Sequence, residues 1–309
     1  RIGCSQTARR RLMFHKILVC SEGSADSLHA ARIGASLAAH FGSEVLALNV
    51  FHMGYAELGV WEMAIDQNTI DGFAGEQQEA NEQSLEPIFK QRNITFRMKQ
   101  ERGRPVDSIL HVAETEKVDL IVMGSRGLGG FKEFLLGSVS SGVLHHASCP
   151  VLIARADPTQ GDTGEFRHIL LASDGSQCAQ NAASFAVDIA DRFATSLSVL
   201  NVCADISALR LPGDSYVPLV EGDADLYARR LLEKVTQDVG SLAKEKGVSC
   251  SYHQEMGHTD EIIVRFAERS NADLLVLGSR GLGGFERMLL GSVSHHVAHH
   301  ANCSVLIVR

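Results

Sequence analysis

Two stretches of the chain combine residue types and spacing that could hold an anion. Gly124 to Ser140 reads GSRGLGGFKEFLLGSVS, and Gly278 to Ser294 reads GSRGLGGFERMLLGSVS. The copies differ only at Lys132 and Glu286, Glu133 and Arg287, and Phe134 and Met288. Gly124, Gly127 and Gly137, like Gly278, Gly281 and Gly291, keep the pattern Gly, two residues, Gly, nine residues, Gly-Ser. Glycine takes positive φ readily and, without a Cβ, lets the main chain approach a ligand closely. Ser138 and Ser292 stand where a helix should begin, so their hydroxyls would cap it or meet a phosphate at the positive end of the dipole. Each stretch therefore reads as a phosphate cradle. The plainer alternative is a tight turn with a serine N-cap. The second copy argues against it, because mere turns tolerate drift. The Walker pattern is absent, since Gly-Phe-Lys at 130–132 does not supply its Gly-Lys-Ser/Thr. The dinucleotide fingerprint is excluded too, because it follows a first strand and these loops follow a fourth.

Chemistry beyond binding is harder to find. Hydrolysis of a γ-phosphate would need a placed base and a metal cage. Within the loop Lys132 is the one candidate among His, Asp and Lys, and the other copy replaces it with Glu286. No catalytic residue is therefore assigned. A binding module is expected, against two rivals: a slow Mg-dependent ATPase or phosphotransferase, and an assembly protein that binds no nucleotide. His295 and His299, like His296 and His300, are four apart, a spacing that could share a metal. No third ligand is apparent, and His145 and His146 at the matching place suggest polar helix ends instead. Arg126 and Arg280 could meet phosphate or simply solvate the loop.

The elements that must position these loops repeat as well. VDLIVM precedes the first loop and ADLLVL the second, each a buried strand. Before them come KILVCS from Lys16 and its match from Arg167, then the turns Glu22-Gly23-Ser24 and Asp174-Gly175-Ser176, each opening a helix. Further strands are expected at 44–50, 95–101 and 150–155, and at 196–202, 249–256 and 304–309. Helices are expected at 25–41, 71–91, with Pro87 kinking or ending it early, and 103–117. In the second half they are expected at 177–193, 226–246 and 260–270. A mobile loop is expected after Phe51. Strands alternating with helices define an α/β class, with two tandem doubly wound domains. Each would be a five-stranded parallel sheet of order 3-2-1-4-5 with helices on both faces. Its topological switch would bring Glu22 or Asp174 beside its own glycine loop.

The 309 residues fit two domains on a prior of roughly 150 each. The expected division is an N-terminal tail at 1–13, a first domain at 14–155, a linker at 156–165 and a second domain at 166–309. A net charge of -8 argues against nucleic acid, since the only basic cluster, Arg9 to Arg11, lies in the tail. No apolar run approaches the ~18–20 residues of a membrane span, so a soluble protein is expected. The seven cysteines are scattered and odd in number, which suits buried apolar positions in a reducing compartment and points to the cytoplasm.

Taken together, these motifs resemble the universal stress protein family in its tandem form, over nearly everything from Phe14 to Arg309. Both halves carry the glycine pattern of the family's ATP-binding members. The resemblance implies that Gly124, Gly127, Gly137, Ser138 and the main chain at Val139 hold phosphates, as do Gly278, Gly281, Gly291, Ser292 and Val293. It implies adenine contacts from the main chain near Val50 and Val202. It implies an aspartate near ribose and Mg²⁺ after the first strand, which Asp174 matches and Glu22 departs from. It further implies that Val151–Arg155 and Val305–Arg309 pair across a pseudo-two-fold, and it leaves room for a homodimer. ATP, rather than phosphate in general, follows from resemblance alone, as does a regulatory role in stress with a protein partner the sequence does not name.

Overall fold

A computed structural model describes residues 13–52, 67–127, 136–156, 163–203, 223–282 and 290–309. The expected tail apart from Met13, the loop beyond His52, most of the linker and the middle of each glycine loop lie outside them.

The first half is built from β1 (Lys16–Cys20), α1 (Ala25–Phe41), β2 (Glu44–Phe51), α2 (Gln67–Lys90), β3 (Phe96–Arg102), α3 (Pro105–Thr115), β4 (Leu120–Gly124), α4 (Ser138–His146) and β5 (Val151–Ala154). The second repeats it: β6 (His168–Ala172), α5 (Gln177–Phe193), β7 (Ser196–Cys203), α6 (Asp223–Lys246), β8 (Cys250–Met256), α7 (Thr259–Arg269), β9 (Leu274–Gly278), α8 (Ser292–His300) and β10 (Ser304–Val308).

Local sequence explains most boundaries. Ser24 caps α1 by accepting from Ser27 N, and Gly42 ends it in the left-handed region at φ 72°. Ser176 caps α5 in the same way, through Ala179 N. The α2 helix starts earlier than its apolar pattern suggests and runs past Pro87 to Lys90. Proline there removes one backbone bond close to the helix end, where little helix remains to be lost.

The strands form one sheet of order β3-β2-β1-β4-β5-β10-β9-β6-β7-β8. Pairing is parallel within each half, whereas β5 and β10 meet antiparallel, with Leu306 opposite Leu152. The seam is therefore the pseudo-two-fold that the family resemblance implies. Apolar side chains fill both faces of the sheet, as buried parallel strands require. On one face Val19, Leu152, Leu171 and Leu306 pack with α1 and α5. On the other, Leu18, Val151, Leu170 and Val305 pack with helices such as α3, α4, α7 and α8. Both cores cross the seam.

Side chains reinforce it. Arg155, just past β5, donates to Ala301 O and Ala298 O, each at 2.6 Å, and so caps the C-terminus of α8. Arg309 reaches Leu144 O at the end of α4 in the reciprocal position. Phe14 meets Phe185 at 5.5 Å, and His40 stacks on Phe193 at 4.1 Å. Glu165, at the end of the linker, pairs with Arg92 and His40 of the first half. No helix among the described residues is long and apolar enough to cross a membrane.

Candidate functional site

The switch point of each half lies between its first and fourth strands, and there the acidic turn meets the glycine loop. Leu282 N donates to Asp174 Oδ2 at 2.8 Å, and Ser176 N donates to Oδ1 at 3.0 Å. A Cβ on Gly281 would come 2.6 Å from Asp174 Oδ2, and one on Gly127 would lie 3.3 Å from Glu22 Oε1. Both acids are half-buried. A side chain at 281 would thus push the Asp174 carboxylate aside.

The positive φ expected of the loop glycines is not found. None of Gly124, Gly127, Gly137, Gly278, Gly281 and Gly291 has positive φ; that conformation belongs to Gly23 and Gly175 in the acidic turns, at φ 86° and 73°. Gly124 and Gly278 lack room because of the first helix of each half. A Cβ would sit 2.8 Å from the Asp26 carbonyl carbon or 2.7 Å from that of Cys178. Their need for glycine is structural packing.

The serine caps also need correction. Gly137 and Gly291 are the N-caps of α4 and α8, with extended backbone at φ -61° and -76° and no side-chain bond. Ser138 and Ser292 are the first helical residues. The serine that fastens the helix is two positions on: Ser140 Oγ donates to Gly124 O at 2.8 Å, and Ser294 Oγ to Gly278 O at 2.7 Å. Gly137 N and Gly291 N close each loop onto Ser125 O and Ser279 O, at 2.8 and 2.7 Å. The first-turn N–H groups, at Ser138 and Val139 or Ser292 and Val293, have no acceptor within their own helix. The Val139 and Val293 side chains face the core, so only their main chain is offered. Val50 and Val202 likewise turn their side chains to that core, late in β2 and β7.

Residues missed in the sequence hold the turns. Buried Asn49 Nδ2 donates to Ser21 O at 3.1 Å, and Asn201 Nδ2 to Ser173 O at 2.8 Å. Gln100 links Asn49 Oδ1 to Ala74 O, and Gln254 links Asn201 Oδ1 to Ala228 O. These pairs recur identically in both halves, which was the available signal.

The halves then diverge. Burial raises the Glu22 carboxyl above the usual carboxylate range, although Ser24 Oγ donates to it. Beside it Asp26 Oδ2 accepts from Ser125 Oγ at 2.9 Å and from Arg126 Nε at 3.3 Å. Arg126 thus forms an ion pair with Asp26, a contact that neither of its two expected roles included. The histidines gather where α4 meets α8, with His145 and His295 ring centres 5.1 Å apart, yet no group suited to a metal occurs among the described residues. A cavity of about 400 Å³, lined by His29, Arg155, Glu165 and Asp273, lies between the halves and includes no glycine-loop residue.

Fold and site define a tandem pair of doubly wound α/β domains with a glycine loop at each switch point. The chain belongs to the universal stress protein family, whose model matches residues 13–155 and again 165–309. A universal stress protein of Mycobacterium tuberculosis is 28% identical over 301 residues, 96% of this chain and 97% of its own. One from Mycolicibacterium smegmatis is 32% identical over 195 residues, 63% of each chain. The crystal structure of a universal stress protein from Archaeoglobus fulgidus superposes with a TM-score of 0.69 at 25% identity, over 96% of both chains.

Proposed function

We propose that the protein binds an adenine nucleotide, ATP with Mg²⁺ foremost, and acts as a nucleotide-dependent regulatory module of the stress response in the cytoplasm. The two binding units are residues 14–155 and 166–309. The observation that carries this reading is the convergence at the second switch point, where Asp174 is tied to Leu282 N at the opening of the glycine loop.

The main chain at Ser292 and Val293, with Gly281 and Gly291, would take the phosphates, at a helix start whose dipole favours anions. The main chain near Val202 would meet the adenine. Gly127, Gly137, Ser138, Val139 and Val50 repeat these roles in the first half, with Glu22 as the acid. Mg²⁺ would neutralise phosphate charge, and Asp174 is the carboxylate in reach of it. The donor set suits a phosphate chain with its cation. Occupancy would act by favouring one conformation or partner surface over another.

Calorimetric titration of ATP and of AMP with Mg²⁺, on the parent and on Gly127→Val and Gly281→Val separately, tests the reading. Each variant is expected to abolish its own site, and chromatography after long incubation to recover intact ATP. A parent that binds neither nucleotide would leave the assembly role, and loop-dependent ADP formation would make the protein an ATPase.

A further inference from the structure

The two switch points offer unlike charge to an anion. Gln100 donates to Ala74 O and Gln254 to Ala228 O, at 2.7 and 2.8 Å, which fixes the correspondence between α2 and α6. On that correspondence Lys234 of α6 stands where α2 has Ala80. Lys234 Nζ donates to Gly175 O at 2.5 Å, so the ammonium lies on the acidic turn next to Asp174. Gly124 and Gly278 press against Asp26 and Cys178 respectively, which makes Cys178 the counterpart of Asp26. The second half thus gains a cation and lacks an anion relative to the first, a difference of two charges beside the same loop.

We infer that the second half carries the dominant phosphate site, with Lys234 as a further phosphate-contacting residue, and that Asp26 weakens the first. The inference rests on the nucleotide reading above and ranks its two sites. An ammonium on a turn beside an incoming polyphosphate raises affinity through field and contact alike, whereas a fixed carboxylate beside the loop repels it.

Titration of the whole chain with MgATP, and in parallel with inorganic pyrophosphate, separates the possibilities. Two phases are expected, differing at least about tenfold in affinity, ~1.4 kcal/mol. The tight phase should weaken about tenfold or more in Lys234→Ala, recover in part in Lys234→Arg, and remain in Gly127→Val. The Asp26→Cys, Ala80→Lys double variant should tighten the weak phase. Circular dichroism melting of each variant excludes misfolding as the cause. Equal affinities in the parent, or a tight phase indifferent to Lys234→Ala, would overturn the ranking while leaving nucleotide binding intact. Binding of pyrophosphate without ATP would overturn only the adenine reading, and the same variants would still decide the ranking. Binding of neither overturns both.

Discussion

Glu22 and Asp174 hold the same place in their halves and differ by one methylene and by surroundings. Burial raises the Glu22 carboxyl, so it collects a proton at a higher pH than an exposed glutamate. Lowering the pH through that raised value removes a negative charge beside the loop. Because that charge is the one assigned to Mg²⁺ in the first half, MgATP affinity there should fall as pH drops through the raised value, and calorimetry of Glu22→Gln should show a weaker, flatter profile. A raised carboxylate also means that the folded state takes up protons first, so this group adds stability as pH falls through its folded value. His299 behaves in the opposite way. Burial, with His295, His300, Arg155 and His145 around it, lowers its imidazole from 6.5 to about 4. Its contribution to stability is complete above pH 6.5 and is lost as pH falls toward 4. Urea midpoints across that range should fall more steeply in the parent than in His299→Gln. At the loops, Gly281→Ala should harm binding more than Gly127→Ala, because the added carbon meets Asp174 at 2.6 Å and Glu22 at 3.3 Å.

Among the elements, strands and loops were legible because they leave local signals: unbroken apolar runs, Ser24 and Ser176 before helices, and a motif present twice. The glycine-loop helices were legible in outline only. The segment Gly-Ser-Val-Ser offers two serines, and which of them bonds depends on where the chain turns helical, a decision made by the loop closing onto Ser125 or Ser279. Arg155 and Arg309 were illegible as anything but strand ends, because their partners lie at helix ends far along the chain. A fork of charged donors on helix-end carbonyls, each such bond being worth ~1.5–3 kcal/mol, makes Arg155 a structural clamp. Arg155→Met should cost about 2–4 kcal/mol in urea denaturation, with Arg155→Lys in between because an ammonium cannot span the same carbonyls.

At the scale of the whole molecule, the two cores join across β5 and β10, so neither half has a core of its own to lose separately. Unfolding is expected as one transition, with far-UV circular dichroism and hydrogen exchange of each half coinciding. Leu306→Ala, at the seam, should destabilise both halves together by about 2–5 kcal/mol. The seam also sets a schedule for synthesis. β5 ends at Ala154 and its partner strand begins at Ser304, so 149 residues separate them. At ~5–20 residues per second, the ribosome holds the first half for roughly 7–30 s with the outer edge of β5 bare. Nascent chains on one message present the same apolar edge to each other during that interval. Joining the two domains in tandem spares the finished protein a search for its partner, and moves the hazard of mispairing to the time of its birth.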